Sequence, residues 1–300
     1  FAKESVNSDQ DQQQINQSKW LISQADDEQE DDNDTLKISV TGTRTPREIK
    51  NVPASVTVID KNQIDSRGIT DLRELFRYEP GVSIRSDARG YWNNFGQNNI
   101  NIRGMEDNSV LLQKDGINLP KRYDFTVNLG RADYVDLNTL KSVEILKGPA
   151  SSLYGSDALG GVVSYRSLYP EDVLDADDTF KIELPVSYDG SSEKITGTTR
   201  LGIRDDESGI EAVVVTTISE GNEVDVKADK KYINDTEISK KNIYTNIVKN
   251  IDENTRLNFI YENVSTEKES TVAPATLSSS YSSMIDDTEI ERWMGSVGYE

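Results

Sequence analysis

The chain has 300 residues, enough for one large or two ordinary domains, and contains neither cysteine nor histidine. That excludes a disulfide framework, thiolate metal sites, a Ser-His-Asp triad and imidazole ligation within these residues. A formal net charge of −20 and a pI of about 4.5 argue against a basic patch for nucleic acid or for an anionic membrane surface. Mean hydropathy is −0.63, and no apolar run reaches the roughly 18 residues of a transmembrane helix. A β-barrel stays open, because its strands are apolar only at every second residue. The chain begins Phe-Ala, which a removed signal peptide or a trimmed sequence would both explain.

Residues 1–33 are rich in Gln, Asn, Ser and Asp and end on the acidic run DDEQEDD. They are expected to form a disordered acidic leader, with too little apolar surface to offset the entropy of ordering. In residues 34–42, Leu36, Ile38 and Val40 alternate with Lys37, Ser39 and Thr41, a strand-like period of two. A turn and a strand at Ser55–Ile59 follow. Asp60 and Gln63 have capping-box spacing, Ile64 follows on that helix, and Gly68 ends it. Thr70 is expected to cap a second helix at Asp71–Tyr78, which Glu79-Pro80-Gly81 stops before a strand at Val82–Arg85. Residues 87–99 have no periodicity and gather Tyr91, Trp92 and Phe95 among Gly and Asn, which suits either ligand contact or rings packed inward to anchor the loop. Ile100–Arg103 and Val110–Lys114 are expected to pair as strands. Residues 121–131 form a second loop with cations and rings, including Arg122, Tyr123 and Phe125.

A helical turn at Leu137–Leu140 leads into the segment Val143–Ser167, VEILKGPASSLYGSDALGGVVSYRS. This reads strand, Gly-Pro stop, one helical turn over Ala150–Tyr154 with Pro149 opening it, Gly155 as its end, Gly160-Gly161 for close backbone approach, and strand again. Leu168–Asp178 reads as a linker. After it the pattern changes to alternation: Phe180, Ile182, Leu184, Val186 and Tyr188 in one strand, then Ile195, Leu201 and Ile203, then Ile210–Ser219, Asn242–Asn250, Thr255–Val264 and Arg292–Glu300. Their connections are DGSSE, a short turn at 205–208, a long loop near 220–241, a short turn at 251–254 and a long loop near 266–291. Short and long ends of this kind fit an outer-membrane barrel, and also a soluble β-sandwich with uneven loops.

The order of Pro80-Gly81-Val82, Ile102-Arg103-Gly104, Val110–Leu112, Asp115-Gly116 and the segment at 143–167 closely resembles the plug domain of TonB-dependent outer-membrane receptors, over roughly residues 34–175. The resemblance implies an α+β plug domain at 43–170, followed at 180–300 by the first roughly six strands of an antiparallel transmembrane β-barrel. Six strands leave polar backbone edges in lipid. The chain is therefore expected to be a fragment of a barrel of about 22 strands. Residues 34–42 resemble the TonB box, so Thr35, Leu36, Lys37, Ile38, Ser39 and Val40 would pair by strand addition with a TonB-type periplasmic energy-transducing protein; the alternative is an ordinary first strand. Tyr91, Trp92, Phe95, Arg122, Tyr123 and Phe125 would face arriving ligand. Arg103 would contact acidic barrel residues, and Lys147, where the family often has arginine, would make a less specific pair.

Residues 115–120, 134–140, 164–174 and 219–223, with Gly130-Arg131, resemble the haem/haemoglobin receptor branch. The implied function is energised import of haem, with haemoglobin as its source, into a cell through the outer membrane. No covalent chemistry and no cofactor is implied; haem is cargo. Tyr123, as a phenolate, is the one candidate haem ligand in the plug. The alternatives are a ferric-siderophore receptor, a passive adhesin or host-protein receptor, and a soluble α/β enzyme, for which no nucleophile–base pair, metal cluster or phosphate loop is present.

Overall fold

Capping side chains and glycine turns divide the first half of the chain into short elements. The computed structural model describes residues 54–85, 99–120, 135–222, 235–252, 255–272 and 284–299, together with two-residue strands at Ile38–Ser39 (β1) and Arg47–Glu48 (β2). Strand Ser55–Asp60 (β3) runs into helix Lys61–Ser66 (α1) through a complete capping box: Asp60 Oδ1 accepts from Gln63 N at 2.9 Å, and Gln63 Oε1 accepts from Asp60 N at 3.2 Å. The second helix is shorter than predicted, Leu72–Phe76 (α2), and Asp71 caps it, not Thr70. The Asp71 carboxylate accepts from Glu74 N at 2.8 Å, while Glu74 reaches back to Thr70 N at 2.9 Å. An ionised acceptor at the cap also complements the helix dipole.

Strand Val82–Arg85 (β4) pairs antiparallel with Asn99–Ile102 (β5). The predicted pairing of Ile100–Arg103 with Val110–Lys114 (β6) therefore fails. Arg103 and Gly104 at φ 52° and 88° fold the chain back, so Ile102 bridges to Met105 instead. β6 lies in a second sheet with Ile117–Asn118 (β7), Leu140–Lys147 (β8) and Gly161–Ser167 (β9), in the order β3-β8-β9-β6-β7. Only β6 and β9 are parallel. Asp115-Gly116, both at positive φ, close the two-residue β6–β7 hairpin as a type I′ turn requires. Helix Ser151–Tyr154 (α3) starts at an Ala150 cap, so Pro149 stands one residue further out than predicted; Gly155 ends the helix at φ 85°.

Every residue of β6 is buried, because the sheet is covered on both faces. One face packs Val110, Leu112, Ile145, Val163 and Tyr165 under Leu75 and Phe76. The other packs Leu111, Leu146 and Val162 against Ala150 and Ala158.

The second half is one antiparallel wall. Pro185 splits the predicted first strand into Phe180–Glu183 (β10) and Val186–Asp189 (β11), both paired with Lys194–Asp205 (β12). Ile210–Asn222 (β13), Asp235–Asp252 (β14), Thr255–Val272 (β15) and Met284–Tyr299 (β16) follow in sequence order. β14 and β15 are 18 residues each, so residues 235–241 and 266–272, which read as loop, are strand. Polar residues there broke the apolar period without breaking the ladder. The predicted linker is also corrected. Leu168, Val173 and Leu174 are buried, and Leu168 and Val173 pack with Val213, Val215, Tyr244, Ile260 and Met294 of the wall. A Cβ on Gly202 would stand 2.8 Å from Leu174 Cγ, so the bare backbone there makes room for this wedge.

The wall has inverted polarity. Outward positions such as Val186, Ile195, Ile218, Ile247, Phe259, Trp293 and Val297 are 39–77% exposed. Inward positions include Thr196, Thr198, Arg200, Thr217, Asn242, Asn246 and Glu262, all buried. At β8–β9 the backbones approach so closely that a Cβ on Gly161 would stand 2.4 Å from Leu146 O. Gly161→Ala should destabilise the plug by about 1–3 kcal/mol, read as a lower plug unfolding temperature in the full-length protein by calorimetry; an unchanged temperature would contradict this packing.

Candidate functional site

The site is the seam where the plug meets the inward face of the wall, because that is where charges otherwise left in a polar lumen find partners. β6 ends at Lys114, whose side chain is 0% exposed and reaches across to Glu262 on β15, Nζ to Oε1 2.7 Å. Glu262 is equally buried, and its other oxygen accepts from Arg292 Nη2 on β16. Lys114 Nζ also donates to Thr139 Oγ1 at 3.1 Å and lies 5.4 Å from the centre of the Tyr244 ring. The hydroxyl of Thr139 in turn donates to Asp136 O at 2.8 Å. A buried carboxylate with two cations, one of them also bonded to a hydroxyl, meets the condition under which such a pair is tolerated.

A second contact joins α1 to β12. Arg200 grips Asp65 through two parallel bonds, Nη1–Oδ2 and Nη2–Oδ1, both 2.9 Å, and its Nε donates to Asn138 O at 3.2 Å. Lys61 adds a 3.0 Å contact to Asp65, and Glu183 stands 3.4 Å from Arg200. Burial pushes the Asp65 carboxyl up. The hydrogen bonds and charge of Arg200, then of Lys61, outweigh that, so its pKa is lowered. Asp136 behaves alike. Burial raises it, while the Lys240 charge, the Asn138 N–H at 3.0 Å and the Asn242 amide at 2.9 Å lower it further, leaving it below its ordinary value.

A third contact fixes the chain where the plug hands over to the wall. Leu168 O accepts from Tyr244 Oη at 2.6 Å and Asn246 Nδ2 at 3.2 Å, and Tyr169 Oη accepts from Asn258 Nδ2 at 2.9 Å. Arg204 collects the carbonyls of Asp175, Ala176 and Asp178 at 2.9–3.3 Å and pairs with Glu211 at 3.0 Å.

Arg103 and Lys147 have their partners inside the plug. The Arg103 guanidinium donates to Lys147 O and to Ser55 Oγ, both 3.3 Å, with its stem over Gly81, and Lys147 Nζ pairs with Glu79 at 3.2 Å. Among the described residues, neither meets an acidic wall side chain. Tyr91, Trp92, Phe95, Arg122, Tyr123 and Phe125 lie outside the described residues, as do the leader at 1–33 and Thr35, Leu36, Lys37 and Val40; Ile38 and Ser39 form β1. Among the described residues no cluster of His, Cys, Asp or Glu could hold a metal ion.

Sequence reading missed Lys114, Glu262, Arg292, Asp65, Asp136 and Lys240. The available signal was phase. Once the apolar positions of β12–β16 face outward, a charge on the alternate phase points at the plug and needs a counter-charge there.

The family description TonB-dependent Receptor Plug Domain matches residues 48–162. The chain is 29% identical over 231 residues to transferrin-binding protein A of Haemophilus influenzae, covering 72% of this chain and 24% of that protein. It is 26% identical over 215 residues to transferrin-binding protein A of Neisseria meningitidis serogroup B, covering 69% and 23%. Heme/hemopexin utilization protein C of H. influenzae is 30% identical over 151 residues, 50% of this chain and 19% of that one. The ferripyoverdine receptor of the outer membrane of Pseudomonas aeruginosa superposes with TM-score 0.60 at 18% identity, over 79% of this chain and 28% of that one. The siderophore receptor PiuA from Acinetobacter baumannii gives TM-score 0.56 at 24% identity, over 78% and 29%.

These likenesses and the fold define the class: a plug domain followed by the antiparallel strands of a β-barrel. Residues 48–162 are a plug domain of the TonB-dependent receptor type, and the chain spans about a quarter of the length of the transferrin-binding relatives named above.

Glu262→Gln leaves two cations against the plug without their counter-charge and should cost about 3–5 kcal/mol in denaturant unfolding of the full-length receptor. Lys114→Met combined with Glu262→Leu should cost less than the sum of the single changes. Asp65 and Asp136 have folded pKa values below their unfolded ones, so their contribution is complete above about pH 4 and is lost as pH falls through the lowered folded values. Plug stability followed by calorimetry should hold to about pH 4 and then decline, and Asp65→Asn should shallow that decline.

Proposed function

We propose that this chain forms the plug and first wall strands of an energised outer-membrane importer of haem, taken directly or from a protein such as haemoglobin. The observation that carries the reading is the inverted wall. An apolar outward face suits lipid, and a polar inward face is occupied by a folded domain joined to it by ion pairs. Likeness to a protein named for heme/hemopexin utilization supports haem as cargo. No bond to the cargo needs to form or break. Ligand docks on the aromatic loops around Tyr91–Phe95 and Arg122–Phe125. The segment Thr35–Val40 is then bound by a TonB-type protein through strand addition, and tension from the inner membrane shifts part of the plug.

A second reading is favoured by the transferrin-binding relatives: a receptor whose iron arrives on a carrier protein. Ferric siderophore is the cargo named for solved structures of the same fold. The test is deletion of residues 35–40 from the full-length receptor in cells given radiolabelled haemin, iron-loaded transferrin or a ferric siderophore, with and without a proton-motive force. Haemin uptake should be lost on deletion and on collapse of the force, while surface binding persists. Unchanged uptake in the deletion would overturn the coupling assignment. Haemin binding without energy-dependent uptake would point to a passive receptor.

A further inference from the structure

The outward face of the wall is unevenly filled. One row across β11, β12 and β13 reads Val186, Gly197 and Ile218. Gly197 has no side chain, so Val186 and Ile218 stand as ridges two strand spacings apart, about 10 Å, over a bare floor. With Leu184 and Ile195 they line a groove of about 840 Å³ on the side turned away from the plug. These four side chains are 57–75% exposed. A Cβ on Gly197 would meet nothing within 4 Å, so no described residue fills the floor.

One end of this apolar groove is charged. Glu193 and Glu220 line it at the end of the wall that carries the long connections, and Glu220 pairs across the ladder with Ile195. Glu193 has φ 50°, in the left-handed region where glycine would cost less. A carboxylate is therefore kept at this mouth against the preference of its own backbone. Among the described residues neither carboxylate has an ion-pair partner. An apolar trough with an anionic mouth is complementary to an amphiphile with a hydrocarbon tail and a cationic head. The long connections of an outer-membrane barrel are its outer ones, which puts the mouth at the level of the outer leaflet.

We propose that the groove seats an acyl chain of an outer-leaflet lipid whose headgroup presents an ammonium group to Glu193 and Glu220. The inference rests on the outward face lying in lipid, which is part of the importer reading, and it does not depend on the cargo. The tail lies over Gly197 between Val186 and Ile218, filling a depression whose lining otherwise lacks contacts. The ammonium gives the two carboxylates a charged donor, whereas a bare lipid phosphate would meet like charge there.

The test uses the full-length receptor, purified in detergent with equal amounts of lipid A carrying phosphoethanolamine and of bare lipid A. Retained lipid is counted by native mass spectrometry. The wild-type receptor should hold one molecule, with the amine-bearing form favoured at least fivefold. Gly197→Leu puts a side chain into empty space, so it should leave the unfolding temperature unchanged and lower retention at least fivefold. Glu193→Gln with Glu220→Gln should bring the two lipids within twofold of each other. Equal retention of both lipids by the wild type, retention of neither, or full retention by Gly197→Leu would overturn the site while leaving the importer reading intact. A complex of two receptors without lipid would also overturn it and would give the groove to a second copy of this chain. Water access to labels at Ile247 and Phe259 would instead overturn the membrane reading on which the inference rests.

Discussion

A sheet whose polar side chains point inward needs partners for them there, either water or a folded domain. The Glu262 carboxylate makes the point at atomic scale. It sits on the wall fully buried and is matched by one cation from the plug and one from the next strand. Lys114 reaches it because β6 is a central strand covered on both faces, which leaves its last side chain no exit to solvent. The plug is thus a structural counterpart of the wall as well as an obstruction within it. Replacing the whole group with apolar residues would pack as well, whereas removing any one ion strands the others without a counter-charge.

The glycines and turns serve that placement. Asp115-Gly116 reverses the chain directly after Lys114, and the Asp115 carboxylate then holds Ser167 N at 2.9 Å, tying the hairpin to the strand that leads into the wall. Arg103, at φ 52°, closes its own turn and braces β3 to the end of β8. The segment at 168–178 continues this bracing into the barrel strands, with its carbonyls taken up by Tyr244, Asn246 and Arg204. One end of the plug is consequently fixed to the wall by backbone carbonyls, whereas α1 is held to it by side-chain charges.

Much of the fold was legible in the sequence, because its signals are local. The Asp60–Gln63 cap, the stop at Pro80-Gly81, the Gly160-Gly161 approach and the period of two after Phe180 each depend on a few neighbouring residues. Where the expectation failed, the deciding contact was distant. Ile100–Arg103 pairs backward with Val82–Arg85 because of a turn at Arg103-Gly104 that apolar pattern does not encode. The linker reading failed because Leu168, Val173 and Leu174 are buried by strands that come later in the chain. β14 and β15 outran their apolar stretches because backbone ladders tolerate polar side chains on both faces. The site was the least legible part. Asp65 with Arg200 and Lys114 with Glu262 are 135 and 148 residues apart, and no local pattern couples them.

The central claim, that the outward face of the wall lies in lipid while its inward face meets the plug, is tested most directly by spin labels on the full-length receptor in lipid vesicles. Labels at Ile247 and Phe259 should collide freely with oxygen dissolved in the bilayer and little with a water-soluble nickel chelate. Labels at the neighbouring inward positions Asn246 and Asn258 should be shielded from both. Equal nickel accessibility at Ile247 and Phe259 would mean that the apolar face meets water or protein, and the account of this chain as a plugged membrane wall would be wrong.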